Sequence, residues 1–299
     1  LLLLLGYHWA AFDSPFRTGY HLVTNPVFQE WHQEGFLGMS MFKPLAFWGS
    51  FFRPDNGLFY FSPFLLLAFP GLWMMLRSRR WRADGVLCLV LIVFFGYFVS
   101  SLTFWRSGWA VGPRYITCAI PFYLVPVAIF MARLERTHWA YRVIPYGLVA
   151  TAILLYTTAN ATFPHYPENF SNPWFDVTLR FGLAGYLPYN LGWKLGLLGL
   201  PSVLPFLAVL LLLLLALLLG GPGSRRQRAG VAAGGLCVLV ALLLAYHAQL
   251  NQRRLPVPVA FLPWMEKIWE PRHSGMALDK LLPAGDPVTG SLKPRKAWW

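Results

Sequence analysis

Two arginines, Arg106 and Arg114, lie in the short segment 105–115, which separates two apolar stretches. The segment reads WRSGWAVGPRY, so a Gly-Pro pair forms a rigid turn directly before Arg114. A guanidinium group presents a planar fork of N–H donors that matches the oxygens of phosphate. The pattern predicts a phosphate-binding site, with Arg114 and the adjoining Tyr115 as first candidates and Arg106 as second. The alternative is that each arginine only anchors its span at the membrane surface.

A second group of candidates precedes this segment or lies within it. Carboxylates and imidazoles can act as a general base, bind a divalent metal or contact sugar hydroxyls, and aromatic rings can stack on a sugar. The predicted contacts to a sugar or acceptor are Asp13, Tyr20, Glu30, His32, Glu34 and Trp109. Solvated polar residues on an amphipathic helix, and an aromatic belt at the membrane interface, are the alternatives.

A metal site is not assigned from these residues. His32 and Glu34 are two positions apart, which places their side chains on different sides of a helix. A divalent metal ion is therefore kept as a candidate cofactor, but no coordinating residues are assigned to it. Three cysteines without CxxC spacing indicate neither a zinc site nor a disulfide framework.

The elements that must position these residues are membrane-spanning helices. The composition is 57% hydrophobic and 12% charged, which excludes an ordinary soluble domain. Several apolar runs approach the roughly 20 residues that a helix needs to cross hydrocarbon. The fold class predicted is all-α, a polytopic transmembrane helix bundle over 1–248 with outer-face loops and interfacial helices. Its spans are expected near 1–10 (the end of a span), 57–76, 85–104, 116–132, 143–160, 200–219 and 230–248.

The orientation follows from short loops rich in arginine. The loops 77–84, 133–142 and 223–229 hold ten of the 25 basic residues, and alternation of the spans places all three on one face. Such loops remain cytoplasmic. We therefore expect a multi-pass protein of the bacterial inner (plasma) membrane. Its extracytoplasmic parts would be the segments 6–56, 105–115 and 161–199 and the C-terminal tail 249–299.

The net charge of +13 does not indicate a nucleic-acid-binding protein, because much of it is explained by membrane topology. The partners expected from the composition are a lipid bilayer and no nucleic acid. The chain begins LLLLLG, inside an apolar run and without an initiator methionine. We expect it to be the C-terminal part of a longer protein.

The order of several motifs resembles a known enzyme family. These are DSPFRTGY, GFLGM, NGLFYFSPFLLLAFPGLW, WRSGWAVGPRYITCAIPF and NPWFDVTLRFG, followed by YNLGWKLGL. Across most of 7–220 the chain resembles the C-terminal half of bacterial GT-C-fold integral membrane glycosyltransferases, which are related to dolichyl-phosphate-mannose protein mannosyltransferases. The order and spacing of the motifs carry the resemblance, since no single motif is highly discriminating.

The resemblance implies transfer of a hexosyl or pentosyl group from a polyprenyl-phosphate-linked sugar to a glycan, lipid or protein acceptor on the outer face of the cell membrane. Arg114 in GPRY would contact the donor phosphate, and Arg106 would be the second contact. The segment 11–56 would help to form the wall of the acceptor cavity. The catalytic residue of that family, usually an aspartate near the amino terminus, is expected upstream of Leu1.

Two other functions remain as alternatives. A transporter or flippase of lipid-linked saccharides would also need spans and phosphate-binding arginines. It should show mid-membrane charges, broken helices and internal repeats. No repeat is visible, and the spans 85–104, 200–219 and 230–248 carry no mid-span charge. The third hypothesis is a scaffold fragment without activity of its own.

Overall fold

The chain folds into a bundle of helices. The computed structural model describes residues 2–17, 19–22, 30–31, 34–35, 38–106, 108–166, 170, 172–179, 182–183, 187, 190–197, 199–220 and 222–248. Within these ranges the only β-type pairing is an isolated bridge between Met39 and Leu102. The predicted all-α class is confirmed. The predicted tail 249–299 lies outside the described residues.

Ten α-helices follow each other along these residues. They are α1 (Leu2–Phe12), α2 (Pro44–Phe51), α3 (Leu58–Phe61), α4 (Ala68–Arg77), α5 (Arg82–Ser101), α6 (Ile120–Leu134), α7 (Val143–Ala161), α8 (Leu191–Lys194), α9 (Leu204–Leu219) and α10 (Arg225–Ala248). Turns of 3-10 helix occupy Gly19–Leu22, Pro63–Leu67, Arg114–Ala119, Trp139–Arg142 and Leu200–Val203, and Trp174–Leu179 is a π-helical turn.

Five segments are long and apolar enough to cross a membrane. They are Arg82–Ser101, Arg114–Leu134, Trp139–Ala161, Leu200–Leu217 and Arg225–Ala248. All five coincide with predicted spans, with boundaries that differ by a few residues. Only 11% of the Leu200–Leu217 segment is buried inside the bundle, so most of its leucines require lipid to cover them. The chain is therefore described as a multi-pass membrane protein.

The sequence predicts a span at 57–76 that Pro63 and Pro70 kink, and the structure interrupts this stretch at Ser62 and Pro63. Helix α3 ends at Phe61, Ser62 adopts a non-helical conformation, and a new 3-10 turn starts at Pro63 and leads into α4. Proline has no N–H to donate and disfavours the α conformation in the residue before it, so the break falls at this point. The apolar stretch after the break, Pro63–Arg77, is shorter than the five spans.

Small residues allow the helices to approach closely. Gly71 of α4 lies against the backbone of Pro126 in α6, and a Cβ atom at position 71 would overlap it. Gly147 of α7 lies in the same way against Val238 and the Gly235 carbonyl of α10. Helices in lipid gain stability from such close packing because lipid supplies no hydrophobic force between them.

Alternation of the spans places the three arginine-rich loops at one end of the bundle, called here the arginine end, and two of these loops are in contact. Nη1 of Arg142 donates a hydrogen bond to the Pro222 carbonyl, at 2.5 Å, and so joins two of the three loops. The Trp139 ring lies beside Gly230 of α10. In the third loop, Arg77 stacks on Trp73 with 4.0 Å from Cζ to the ring centroid. The opposite end, called here the loop end, carries 38–57, 102–113 and the connection from α7 to α9.

Candidate functional site

A stretch of extended backbone fixes one side of the loop end. The Thr103 N–H donates to the Gly38 carbonyl at 3.0 Å, and the Ser40 N–H donates to the Ser101 carbonyl at 2.9 Å. The Lys43 N–H donates to the Ser100 carbonyl at 2.8 Å. Helix α2 begins at Pro44 immediately afterwards, so these bonds set where α2 lies against the end of α5.

Polar side chains extend this attachment at Glu34. The Thr103 hydroxyl donates to Oε2 of Glu34 at 2.5 Å, and Lys43 Nζ lies 3.3 Å from Oε1 and 2.7 Å from the Thr103 hydroxyl. The hydrogen bond from Thr103, and then the Lys43 ammonium group, hold the pKa of Glu34 below its ordinary value. Glu34 was predicted as an acceptor contact, but here its carboxylate links the segment 34–43 to Thr103.

Replacing Thr103 with valine should raise the pKa of Glu34. A carboxylate whose pKa is lower in the folded state than in the unfolded state stabilises the folded state at pH values above its unfolded pKa. This stabilisation is lost as the pH falls through the folded pKa. The contacts of Glu34 with Thr103 and Lys43 should therefore weaken only below pH 4.5, the ordinary pKa of a glutamate side chain. A ¹³C NMR titration of protein labelled at glutamate measures the shift. Thr117→Val, on an exposed residue outside this contact, is the control, and equal Glu34 pKa values in both variants would contradict the prediction.

A buried carboxylate that the sequence analysis did not select lies at the centre of the loop end. The Asp55 side chain is 0% exposed. Arg53 donates from Nε to Oδ1 at 3.0 Å and from Nη2 to Oδ2 at 2.9 Å, and Nη1 of Arg106 also donates to Oδ2. In the sequence, the RPDNG motif at 53–57 indicates only a turn. The signal that could have identified Asp55 is an acidic residue two positions after an arginine, close to the start of an apolar stretch.

The Trp105 ring lies close to both arginines of this cluster. The Cζ atom of Arg53 lies 6.0 Å from the ring centroid and that of Arg106 lies 5.7 Å from it. The ring edge lies against Gly49 of α2, where a Cβ atom would overlap it. Trp105 and Arg106 are therefore held by the loop 52–57 and by α2, although these elements lie about fifty residues earlier in the sequence.

Arg114 lies at the other end of the same loop. Two glycines with positive φ, Gly108 at 82° and Gly112 at 77°, turn the backbone between Arg106 and Arg114. Nη2 of Arg114 lies 3.6 Å from the position that a Cβ atom of Gly108 would occupy, so Arg114 folds back over the loop. Its side chain is exposed, and no carboxylate among the described residues forms an ion pair with it.

Two of the three predicted aromatic site residues, Trp109 and Tyr115, take part in packing. Trp109 packs against the buried cluster that contains Phe61, and Tyr115 packs against the cluster that contains Tyr123. Both rings are partly buried rather than fully enclosed. Their packing fixes the two sides of the loop that carries Arg114.

The remaining candidates are not brought to Arg114 by any described contact. Asp13 follows α1 with φ of 56° and its N–H donates to the Trp9 carbonyl, while Glu30 is exposed. Tyr20 lies in a 3-10 turn, and its side chain is outside the described residues, as is all of His32. Among the described residues, no group of three His, Cys, Asp or Glu side chains could hold a metal ion.

A buried polar network closes the loop end on the side of α7 and α10. The Tyr60 hydroxyl donates to Oδ1 of Asn172 at 3.0 Å, and the Tyr246 hydroxyl donates to the Tyr60 carbonyl at 3.1 Å. The two tyrosine rings stack with centroids 4.0 Å apart. On the same connection, Nε1 of Trp174 donates to the Thr158 hydroxyl at 2.9 Å. These contacts tie Asn172 and Trp174 of the connection after α7 to the bundle.

The loop end presents three arginines, Arg53, Arg106 and Arg114, at the boundary of several spans. It combines an exposed guanidinium, two guanidiniums held by a buried carboxylate, and surrounding aromatic rings, an arrangement suited to an anionic group at the level of lipid headgroups. Comparison with protein-family models, with curated proteins and with solved structures found no match.

Proposed function

We propose that this chain is part of a membrane glycosyltransferase. It would move a hexosyl or pentosyl group from a polyprenyl-phosphate donor to a glycan, lipid or protein acceptor at the loop end. The observation that carries the proposal is the exposed Arg114 guanidinium at the first turn of a span, on a loop anchored by the Arg106–Asp55 ion pair. A phosphate at headgroup depth is the anion that such a position would meet.

The reaction proposed is a displacement at the anomeric carbon. An acceptor oxygen forms a bond to this carbon while the bond from carbon to the phosphate oxygen breaks, and the electron pair of that bond goes to the phosphate. The acceptor proton goes to a carboxylate base, the role that the resemblance gives to an aspartate. Phosphate leaves without protonation, so cations that stabilise its developing charge matter more than a pair of carboxylates at glycosidase spacing.

The arginine end supports the orientation that this reaction needs. Ten arginines lie in the three loops at that end, together with only two acids, Asp84 and Glu135. Loops of this composition resist translocation across the membrane. With the arginine end in the cytoplasm, Arg114 and the polar segments of the loop end would face outward.

One observation favours the alternative of a transporter or flippase of lipid-linked saccharides. The break between α3 and Pro63 makes this stretch discontinuous, and transporters often use broken helices at their binding sites. A break only a few residues after the buried Asp55 could also shape an enzyme cavity.

Reconstitution separates the two functions. The full-length protein containing this chain is placed in vesicles with radiolabelled polyprenyl-phosphate-linked mannose, glucose or arabinose in one leaflet and acceptors extracted from cell envelopes. A transferase releases polyprenyl phosphate and moves the label onto an acceptor. A transporter carries the label to the other leaflet with its lipid linkage intact, and that outcome would overturn the proposal.

A further inference from the structure

Asp55 is an unusual residue for this position. Its carboxylate is fully buried at the loop end, and both oxygens accept hydrogen bonds from guanidinium groups. Burial of a charge is costly, and apolar residues of similar volume often stabilise a fold as well as a buried ion pair does. A role in holding the arginines in place for a ligand would explain why a buried ion pair is present at this position.

The cluster also leaves part of its cationic surface accessible. The Arg53 side chain is 36% exposed, whereas that of Arg106 is 11% exposed. Asp55 neutralises one of these two positive charges, and the exposed Arg114 adds another from the far end of the same loop. Among the described residues, the three positive charges of these arginines and the one negative charge of Asp55 give a net charge of +2.

We propose that Asp55 is a positioning residue for an anion site formed by Arg53, Arg106 and Arg114, and that the ligand is the phosphate of a phosphorylated lipid. This inference rests on the proposed function and deepens it by naming the residues that select the donor. Asp55 sets the direction of the Arg53 and Arg106 guanidiniums, and the Gly108 turn brings Arg114 back over the loop that Arg106 begins.

The charge of the site suits a leaving phosphate better than an intact donor. A phosphodiester carries one negative charge, and a phosphate monoester carries about −1.5 to −2 at neutral pH. This net charge of +2 therefore interacts more strongly with the monoester that forms as the sugar departs. Interactions that strengthen during the reaction increase its rate, whereas equal binding of donor and product does not.

Replacing Asp55 with asparagine distinguishes a positioning role from a purely electrostatic one. The substitution keeps the size of the side chain but adds one unit of positive charge to the site. If Asp55 only lowered the local charge, the variant would bind an anion more tightly. If Asp55 orients the arginines, binding should weaken about tenfold or more, since charge-assisted hydrogen bonds to phosphate are lost or misplaced.

The experiment measures binding of ³²P-labelled polyprenyl phosphate to the purified full-length protein in detergent micelles. Asp84→Asn, which removes an exposed acid at the arginine end, is the matched control and should leave binding unchanged. Unlabelled inorganic phosphate is added as competitor in a second arm. Competition only at millimolar concentrations would indicate a lipid phosphate site, and competition at the affinity of the lipid would overturn the lipid assignment.

A second variant keeps the proposal testable if Asp55→Asn does not fold. Arg53→Gln changes a partly exposed side chain and should also weaken binding about tenfold. Unchanged or tighter binding in Asp55→Asn, or unchanged binding in Arg53→Gln, would overturn the inference. Binding that follows these expectations without any sugar transfer would contradict the proposed enzyme while supporting the anion site, so the two failures are distinguishable.

Discussion

Replacement of Arg114 with alanine should lower the rate of sugar transfer by about 10²–10³-fold, as expected for loss of one group that stabilises charge in the transition state. The side chain is exposed and forms no ion pair with a described carboxylate, so its removal should leave the fold intact. The measurement is the initial rate of label transfer from a polyprenyl-phosphate-linked sugar in membranes that contain equal amounts of full-length protein.

Two further variants allow this result to be interpreted. Arg136→Ala removes an exposed arginine at the arginine end and should not change the rate of transfer. Arg114→Lys retains the charge but not the planar fork, so its rate should lie between those of the wild type and the alanine variant. Wild-type rates in Arg114→Ala would exclude a role for this residue at the donor phosphate. In that case Arg114 would only anchor its span at the membrane surface.

Replacement of Gly71 with alanine should destabilise the bundle by about 1–3 kcal/mol, the usual cost of forcing an extra carbon into packed structure. The new Cβ atom would overlap the backbone of Pro126, which cannot move without shifting α6 relative to α4. Alanine by itself favours a helix over glycine by about 1 kcal/mol, so a loss of stability would report the contact and not the helix propensity. Thermal unfolding of the purified protein in detergent measures the effect.

Gly96→Ala is the control for helix propensity. Gly96 is also a buried glycine within a helix, but the nearest side-chain atom to its Cβ position is Cζ of Phe51 at 3.6 Å, an ordinary contact. This variant should unfold at the temperature of the wild type or above it. If both glycine variants have the same stability, close packing of α4 on α6 does not limit the stability of the bundle.

Arg106 shows how the structure changes the interpretation of a predicted site residue. The sequence placed it second to Arg114 as a phosphate contact because it lies at the same membrane boundary. In the structure its Nη1 atom binds Asp55, and its side chain is largely buried. Its role in phosphate binding remains a prediction, but its position is now explained by a residue fifty-one positions earlier in the chain.

The composition and the lengths of the apolar runs are enough to predict the class of fold and the places of five spans. Lipid cannot hydrogen-bond to a backbone, so a long apolar stretch must become a helix whatever surrounds it. The predicted segment 200–219 and the observed Leu200–Leu217 span agree for this reason. The arginine-rich loops could also be assigned to one end from sequence, because consecutive spans alternate in direction.

The pairing of the buried polar groups could not be predicted from sequence and is seen in the folded structure. Asp55 pairs with Arg106, and Tyr60 with Asn172 and Tyr246, across separations of 51, 112 and 186 residues. Local patterns carry no information about such partners, because a carboxylate in a turn looks the same in sequence whether water or a distant guanidinium satisfies it. The partner is set by how the helices pack, and burial then makes the pairing obligatory, since an unpaired charge away from water is too costly to persist.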